Sequence, residues 1–266
     1  LEDNADQPLF EPPIGHTPIW QHTRVTGMFQ ADTDMVTVLA QLNALVGELP
    51  KHRIEILEDR DWIREWMDSY QPLQCGKQLW ICPSWREPVD PTAVNLLLDP
   101  GLAFGTGTHP TTWLCLNWLD SQPLAGKTVI DYGCGSGILG IAALLLGAEK
   151  LIAVDTDPQA LQATSENAKR NNIDSDKLAC YLPEEVPPGL HGDVLLANIL
   201  AGPLMELAPT LAACLDPGAP ICLSGILDSQ GDTIKQCYQH WFVGLASEQR
   251  EEWLRISGQR NSESAK

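Results

Sequence analysis

The chain has 266 residues, 44% of them hydrophobic and 20% charged, which is enough apolar material for a sizeable core and more than one small domain requires. Its 17 Lys and Arg stand against 35 Asp and Glu, a formal net charge of -18 that argues against wide contact with phosphate backbones and suits either plain solubility or a basic partner. The eight cysteines form no C-x-x-C pair, so buried free thiols are expected rather than a zinc site or a disulfide framework, and no run approaches the roughly 18 continuous apolar residues of a membrane span.

Residues 1–57 read as a small α+β unit, with strands by alternation over 23–29 and 53–57 and a helix by spacing over 34–46. Strand, helix and strand are few for a domain, so further residues before Leu1 are expected to complete it. Over 59–70, Trp62, Ile63, Trp66 and Met67 share one helical face while Asp59, Arg60, Arg64, Glu65 and Asp68 occupy the other, as in a connecting helix packed against a neighbour. Strands over 77–83 and 94–98 then flank the Pro-containing segment 84–91.

Beyond residue 120 the pattern alternates cleanly. Strands are predicted over 128–131, 151–155, 178–182, 194–197, 219–223, 242–247 and 253–256, with helices over 137–146, 158–171, 203–215 and 229–240. Such alternation implies a mostly parallel sheet of seven strands covered on both faces, with ligands bound beyond the C-terminal ends of its strands.

Four elements carry chemistry. In Asp131-Tyr132-Gly133-Cys134-Gly135-Ser136-Gly137, between an apolar strand and an apolar helix, the glycines let the backbone approach a nucleotide-type ligand. The spacing is G-x-G-x-G rather than the dinucleotide G-x-G-x-x-G, and a purely structural glycine turn is the alternative. Asp155, about 20 residues further on at the next strand end, can accept hydrogen bonds from both hydroxyls of an adenosine ribose. Its other reading, a helix cap, suits Asp157 better because Pro158 follows at the first helical position. Asn198, a lone amide ending the strand of Leu195-Leu196-Ala197-Asn198, can orient an amine nucleophile, or it can be a simple turn-former. The segment 99–112, rich in Gly and Thr, suits a loop closing over a bound cofactor, with Phe104 to cover an apolar group and Thr112 to offer a hydroxyl. His109 within it is a candidate base, or a structural histidine at a helix start beside Pro110.

Taken together, G-T-G-T-H-P-T-T over 105–112, D-Y-G-C-G-S-G over 131–137, Asp155 and A-N-I-L-A-G-P over 197–203 resemble the PrmA family, methyltransferases of large-subunit ribosomal protein eleven. The resemblance extends over nearly the whole chain, including Asp61-Trp62, Trp66-Met67, the segment 79–85 and Ser224-Gly225-Ile226-Leu227. It implies a seven-stranded, Rossmann-like class I methyltransferase domain over 77–266, a helical linker over 58–76, and a ferredoxin-like substrate-recognition domain of which residues 1–57 are the second half. It also implies S-adenosylmethionine as cofactor, held by Phe104, Thr112, Gly133, Gly135, Asp155 and Asn198, and transfer of methyl groups to lysine side chains and the N-terminal amine of the ribosomal protein. Asn198 is the residue expected to act in catalysis, with no metal, no direct nucleic-acid contact, no membrane, a monomeric state and a cytoplasmic location. The rival readings are a nicotinamide-dependent oxidoreductase, which the glycine spacing disfavours, an N-methyltransferase of another basic protein, and a non-catalytic adenosine-binding module of the ribosome. Amide and adenine methylases of similar fold favour N-P-P-Y where this chain has Asn198-Ile199-Leu200-Ala201.

Overall fold

A computed structural model of the chain describes residues 2–3, 22–56, 70–99 and 109–262. The chain divides into two compact units, residues 1–67 and 68–266.

In the first unit, β1 (Glu2–Asp3) pairs antiparallel with β2 (Thr23–Arg24), and α1 spans Met35–Val46. Asp34 caps α1 because its carboxylate accepts both the Val36 N–H at 3.0 Å and the Thr37 hydroxyl at 2.6 Å. These bonds, that from Thr37 first, hold its carboxyl below the usual range. The expected strand over 23–29 ends at Arg24, and residues 53–56 form no strand. Alternation produces a strand only where a partner and a covering layer exist. Here β1 offers two residues of pairing, while Val25, Met28 and Ile56 stay exposed. The expected connecting helix lies outside the described residues except at Tyr70, which is not helical.

The second unit opens with β3 (Leu73–Gln74), β4 (Leu79–Cys82) and β5 (Val94–Leu97), a small sheet in which β3 runs antiparallel and β5 parallel to β4. β3 falls in the stretch read from sequence as linker. Next comes α2 (Pro110–Leu119), a helix whose extent the sequence did not reveal. The alternating series follows: β6 (Thr128–Tyr132), α3 (Ile138–Leu145), β7 (Lys150–Val154), α4 (Pro158–Arg170), β8 (Leu178–Tyr181), β9 (Val194–Asn198), α5 (Ala201–Ala213), β10 (Pro220–Leu227), α6 (Gly231–Tyr238), β11 (Phe242–Arg250) and β12 (Trp253–Arg260).

The seven strands stand in the order β11-β12-β10-β9-β6-β7-β8, parallel except for β12, which runs antiparallel to both its neighbours. Successive residues of one strand feed opposite layers. Val129 and Leu196 join a core with α2, α3 and α4, whereas Ile130, Leu195 and Ala197 join a core with α5 and α6. That alternation on a sheet buried on both sides explains why the strands read as continuous apolar runs. α5 begins two residues before the expected Pro203, because a proline in the first turn lacks only an N–H that has no helical partner. Deeper in the same helix Pro209 leaves the Met205 carbonyl without its helical donor, and the Cys237 thiol takes that place at 3.8 Å. Among the described residues no helix is long and apolar enough to cross a membrane.

Candidate active site

The chain runs from β6 outward to β7 and β8, then returns to β9 on the other side of β6. The helices that follow β6 and β9 therefore cover opposite faces of the sheet, and the C-terminal ends of these two strands mark the usual ligand crevice of such sheets.

The loop after β6 takes three left-handed glycines, Gly133 at φ 79°, Gly135 at φ 54° and Gly137 at φ 76°, a sequence of angles that residues with a Cβ rarely adopt. Its carbonyls are held from behind by α4, where Thr164 Oγ1 donates to the Gly135 carbonyl at 3.1 Å and Asn167 Nδ2 to that of Ser136 at 2.9 Å. The Gly133 N–H donates back to Val154 at the end of β7 at 2.7 Å. The loop's main chain is thereby fixed before any ligand arrives.

Asp155, the residue after β7, accepts the Gly135 N–H on Oδ2 at 2.9 Å and the Asp157 N–H on Oδ1 at 3.0 Å. Both bonds orient the carboxylate at the loop, and each oxygen keeps a further lone pair for a ligand hydroxyl. Asp157 caps α4 by accepting from Gln159 N–H at 2.9 Å with Pro158 in the first turn, so the two acids hold separate roles.

Asn198 ends β9 opposite Ser224 of β10, half-buried. Its Nδ2 donates to Thr112 Oγ1 at 3.3 Å, joining two residues 86 positions apart that were singled out separately in the sequence. Thr112 is fully buried in the first turn of α2, whose cap is His109. Nδ1 of His109 accepts the Thr111 N–H at 3.3 Å, and the ring meets Trp253 edge-on at 5.0 Å between centroids. Burial lowers the pKa of His109 below its ordinary value, against the upward pull of Glu252 and Glu251. These contacts give His109 a structural place. Arg250 lies 4.1 Å over the Trp113 ring, so both ends of the β11–β12 turn brace the start of α2.

Between the two halves sits Ile199. Its γ2 methyl lies where a side chain on Gly133 would begin, and its main chain lies against Gly225 at φ 83°, where a Cβ would fall 2.8 Å from the Ile199 carbonyl carbon. Gly133, Gly135 and Asp155 thus form one cluster and Thr112 with Asn198 another, linked through Ile199. Phe104 lies outside the described residues. Thr164, Asn167, Ile199 and Gly225 had no assigned role in the sequence. The first two left a trace, since they share the buried stripe of Ala160, Thr164, Asn167 and Ala168 on an otherwise polar helix.

A parallel sheet with one reversed strand slotted beside its last parallel one, and a glycine bend at the point where strand order turns, is the frame of the Rossmann-like methyltransferases, and this enzyme uses S-adenosylmethionine. The family model described as ribosomal protein L11 methyltransferase (PrmA) matches residues 1–261. The chain belongs to that family. It is 56% identical over 264 residues to the ribosomal protein L11 methyltransferase of Shewanella amazonensis, covering 98% of this chain and 89% of the relative. The corresponding protein of Teredinibacter turnerae is 57% identical over 263 residues, with 98% and 88% covered. Among solved structures, the ribosomal protein L11 methylase of Lactobacillus delbrueckii subsp. bulgaricus matches with a TM-score of 0.65 at 32% identity, over 72% of this chain and 100% of that one.

Proposed function

We propose that this enzyme methylates amino groups of ribosomal protein L11, lysine side chains and the N-terminal amine, with Asn198 orienting the incoming nitrogen. The observation that carries the assignment is the Asn198–Thr112 hydrogen bond at 3.3 Å beside the glycine bend, which fixes an amide at the mouth of the crevice. When bound, S-adenosylmethionine supplies a methyl group on a sulfonium, open to attack in line. The residues present suit it. Asp155 would meet the ribose hydroxyls, Gly133 and Gly135 would let the main chain approach, and Thr112 would contribute its hydroxyl.

A free lysine has a pKa near 10.4, so the amine must shed a proton before it attacks. Desolvation in the crevice lowers that pKa, and water takes the proton. The Asn198 carbonyl oxygen then accepts from the neutral amine and aligns its lone pair, while its Nδ2 stays tied to Thr112. Residues 1–57 serve as part of a ferredoxin-like recognition domain and 77–266 as the catalytic domain; the division of the chain into two compact units supports a separate recognition module. The acidic balance of the chain suits a basic protein substrate better than bare nucleic acid, and a monomer in the cytoplasm is the expected working form.

The test is transfer of labelled methyl groups to purified L11, with mass spectrometry of the product and calorimetric titration of S-adenosylmethionine. Asn198→Ala is expected to lower kcat roughly a hundredfold, the scale of a misplaced nucleophile. Full turnover by that variant with an intact fold would remove Asn198 from the mechanism, and unmethylated L11 beside tight cofactor binding would remove L11 as substrate.

A further inference from the structure

The geometry points to Ile199 as a positioning residue: its γ2 methyl, seated over Gly133, and its main chain, seated on Gly225, together hold the Asn198 amide at the place where the amine must be met. This inference rests on the role proposed for Asn198 and extends it to a neighbour that need touch neither cofactor nor amine.

The argument is one of backbone freedom. Asn198 is the last residue of β9, and the chain leaves the ladder there, so no strand pairing beyond Asn198–Ser224 restrains the next peptide. Leu200 is already extended at φ -61° and ψ 153°, half in the cap of α5, and its side chain is exposed. Only Ile199 stands between the end of the ladder and the helix, and it is clamped from two sides. On one, its nitrogen and carbonyl carbon lie 3.2 Å and 2.8 Å from where a Cβ of Gly225 would be, in a bulge where the pairing of β10 with β12 shifts register between Leu223 and Ile226. On the other, its γ2 methyl fills the space left by the missing side chain of Gly133, the first glycine of the cofactor bend. The crevice wall that carries the amide is thus keyed directly to the wall that carries the cofactor.

A β-branched residue is required for that key. The methyl that reaches Gly133 is the one on Cβ, which valine and isoleucine share and leucine lacks. Ile199→Leu keeps the volume, and such swaps are ordinarily tolerated by a core. It removes the contact with Gly133 and leaves Asp155 and its bonds to the glycine bend in place.

The experiment compares Ile199→Leu, Ile199→Val and the unaltered chain for kcat on purified L11, for calorimetric Kd of S-adenosylmethionine, and for thermal unfolding. Ile199→Leu is expected to lose roughly ten- to a hundredfold in kcat, with Kd for the cofactor within about twofold, and Ile199→Val to keep kcat within about twofold. Unchanged kcat in Ile199→Leu, an equal loss in Ile199→Val, or a cofactor Kd that weakens in step with kcat would each overturn the assignment. Should Ile199→Leu fail to fold, Ile199→Thr, which keeps the γ2 methyl, against Ile199→Ala, which lacks it, decides by the same split. Loss of turnover in Asn198→Ala with full turnover in Ile199→Leu overturns this inference alone, whereas full turnover in Asn198→Ala overturns the role of Asn198 on which it stands.

Discussion

Asp131 carries a cost at the centre of the catalytic unit. It is 1% exposed, and its Oδ2 accepts the Gly140 N–H at 2.9 Å, tying the end of β6 to α3 beneath the glycine bend. Burial pushes its carboxyl up to about 7, against the Gly140 bond, and the charge of Asp155 adds to the rise. In the unfolded chain the same group titrates near 3.9. Between these values the folded protein binds more protons than the unfolded one, so the stability present at low pH is lost as pH rises through the folded value, by about 1.4 kcal/mol per unit. Asp131→Asn keeps an oxygen for Gly140 and removes the ionisation. The melting temperature of the parent relative to that of Asp131→Asn is therefore expected to fall from pH 5 to about 7 and to hold level above it, and parallel profiles in a pH series of unfolding scans would contradict the argument.

At the scale of elements, α4 connects more of the molecule than any strand end shows. Beyond the glycine bend, Asn171 at its C-terminus binds both main-chain groups of Leu97 in β5, accepting its N–H at 2.7 Å and donating to its carbonyl at 2.8 Å. A third bond runs to the Asn167 carbonyl at 2.8 Å. Asn171→Ala strands the Leu97 amide with no side-chain partner and is expected to cost about 1–3 kcal/mol, read as a lower denaturant midpoint at unchanged slope. Such links explain what sequence does and does not disclose. The central strands of the large sheet, such as β6 and β9, were legible to within a few residues because burial on both faces makes each a short apolar run, whereas β11, largely exposed, was legible only at its apolar start. The lone amide Asn198 and the acid Asp155 stood out against those runs. Thr112 as partner of Asn198, Asn171 as partner of Leu97 and Ile199 as partner of Gly133 were not legible, because each pair is joined by tertiary packing across 86, 74 and 66 positions. The strand expected over 23–29 stops at Arg24, and none forms at 53–56, for the converse reason: their alternation has no covering layer among the described residues.

Over the whole molecule the excess of acids sets how a substrate is met. A net charge of -18 attracts a basic protein through a field that salt screens, with a Debye length of about 10 Å at 0.1 M and 3 Å at 1 M. KM for L11 is expected to rise several-fold between about 0.05 and 0.5 M salt while kcat and the cofactor Kd change little. Steady-state kinetics across that range check it, and a KM indifferent to salt would mean that charge has no part in docking.

The order of the large sheet has one more consequence. β12 is made last of the seven strands, yet it lies second from the sheet's edge, with β11 outside it and β10 inside. During vectorial synthesis β11 emerges with no flank to join, and the slot beside β10 stays open until residues 253–260 clear the ribosome. Because β10 carries the Gly225 seat for Ile199, a nascent chain paused short of Trp253 leaves the far flank of that seat unpaired.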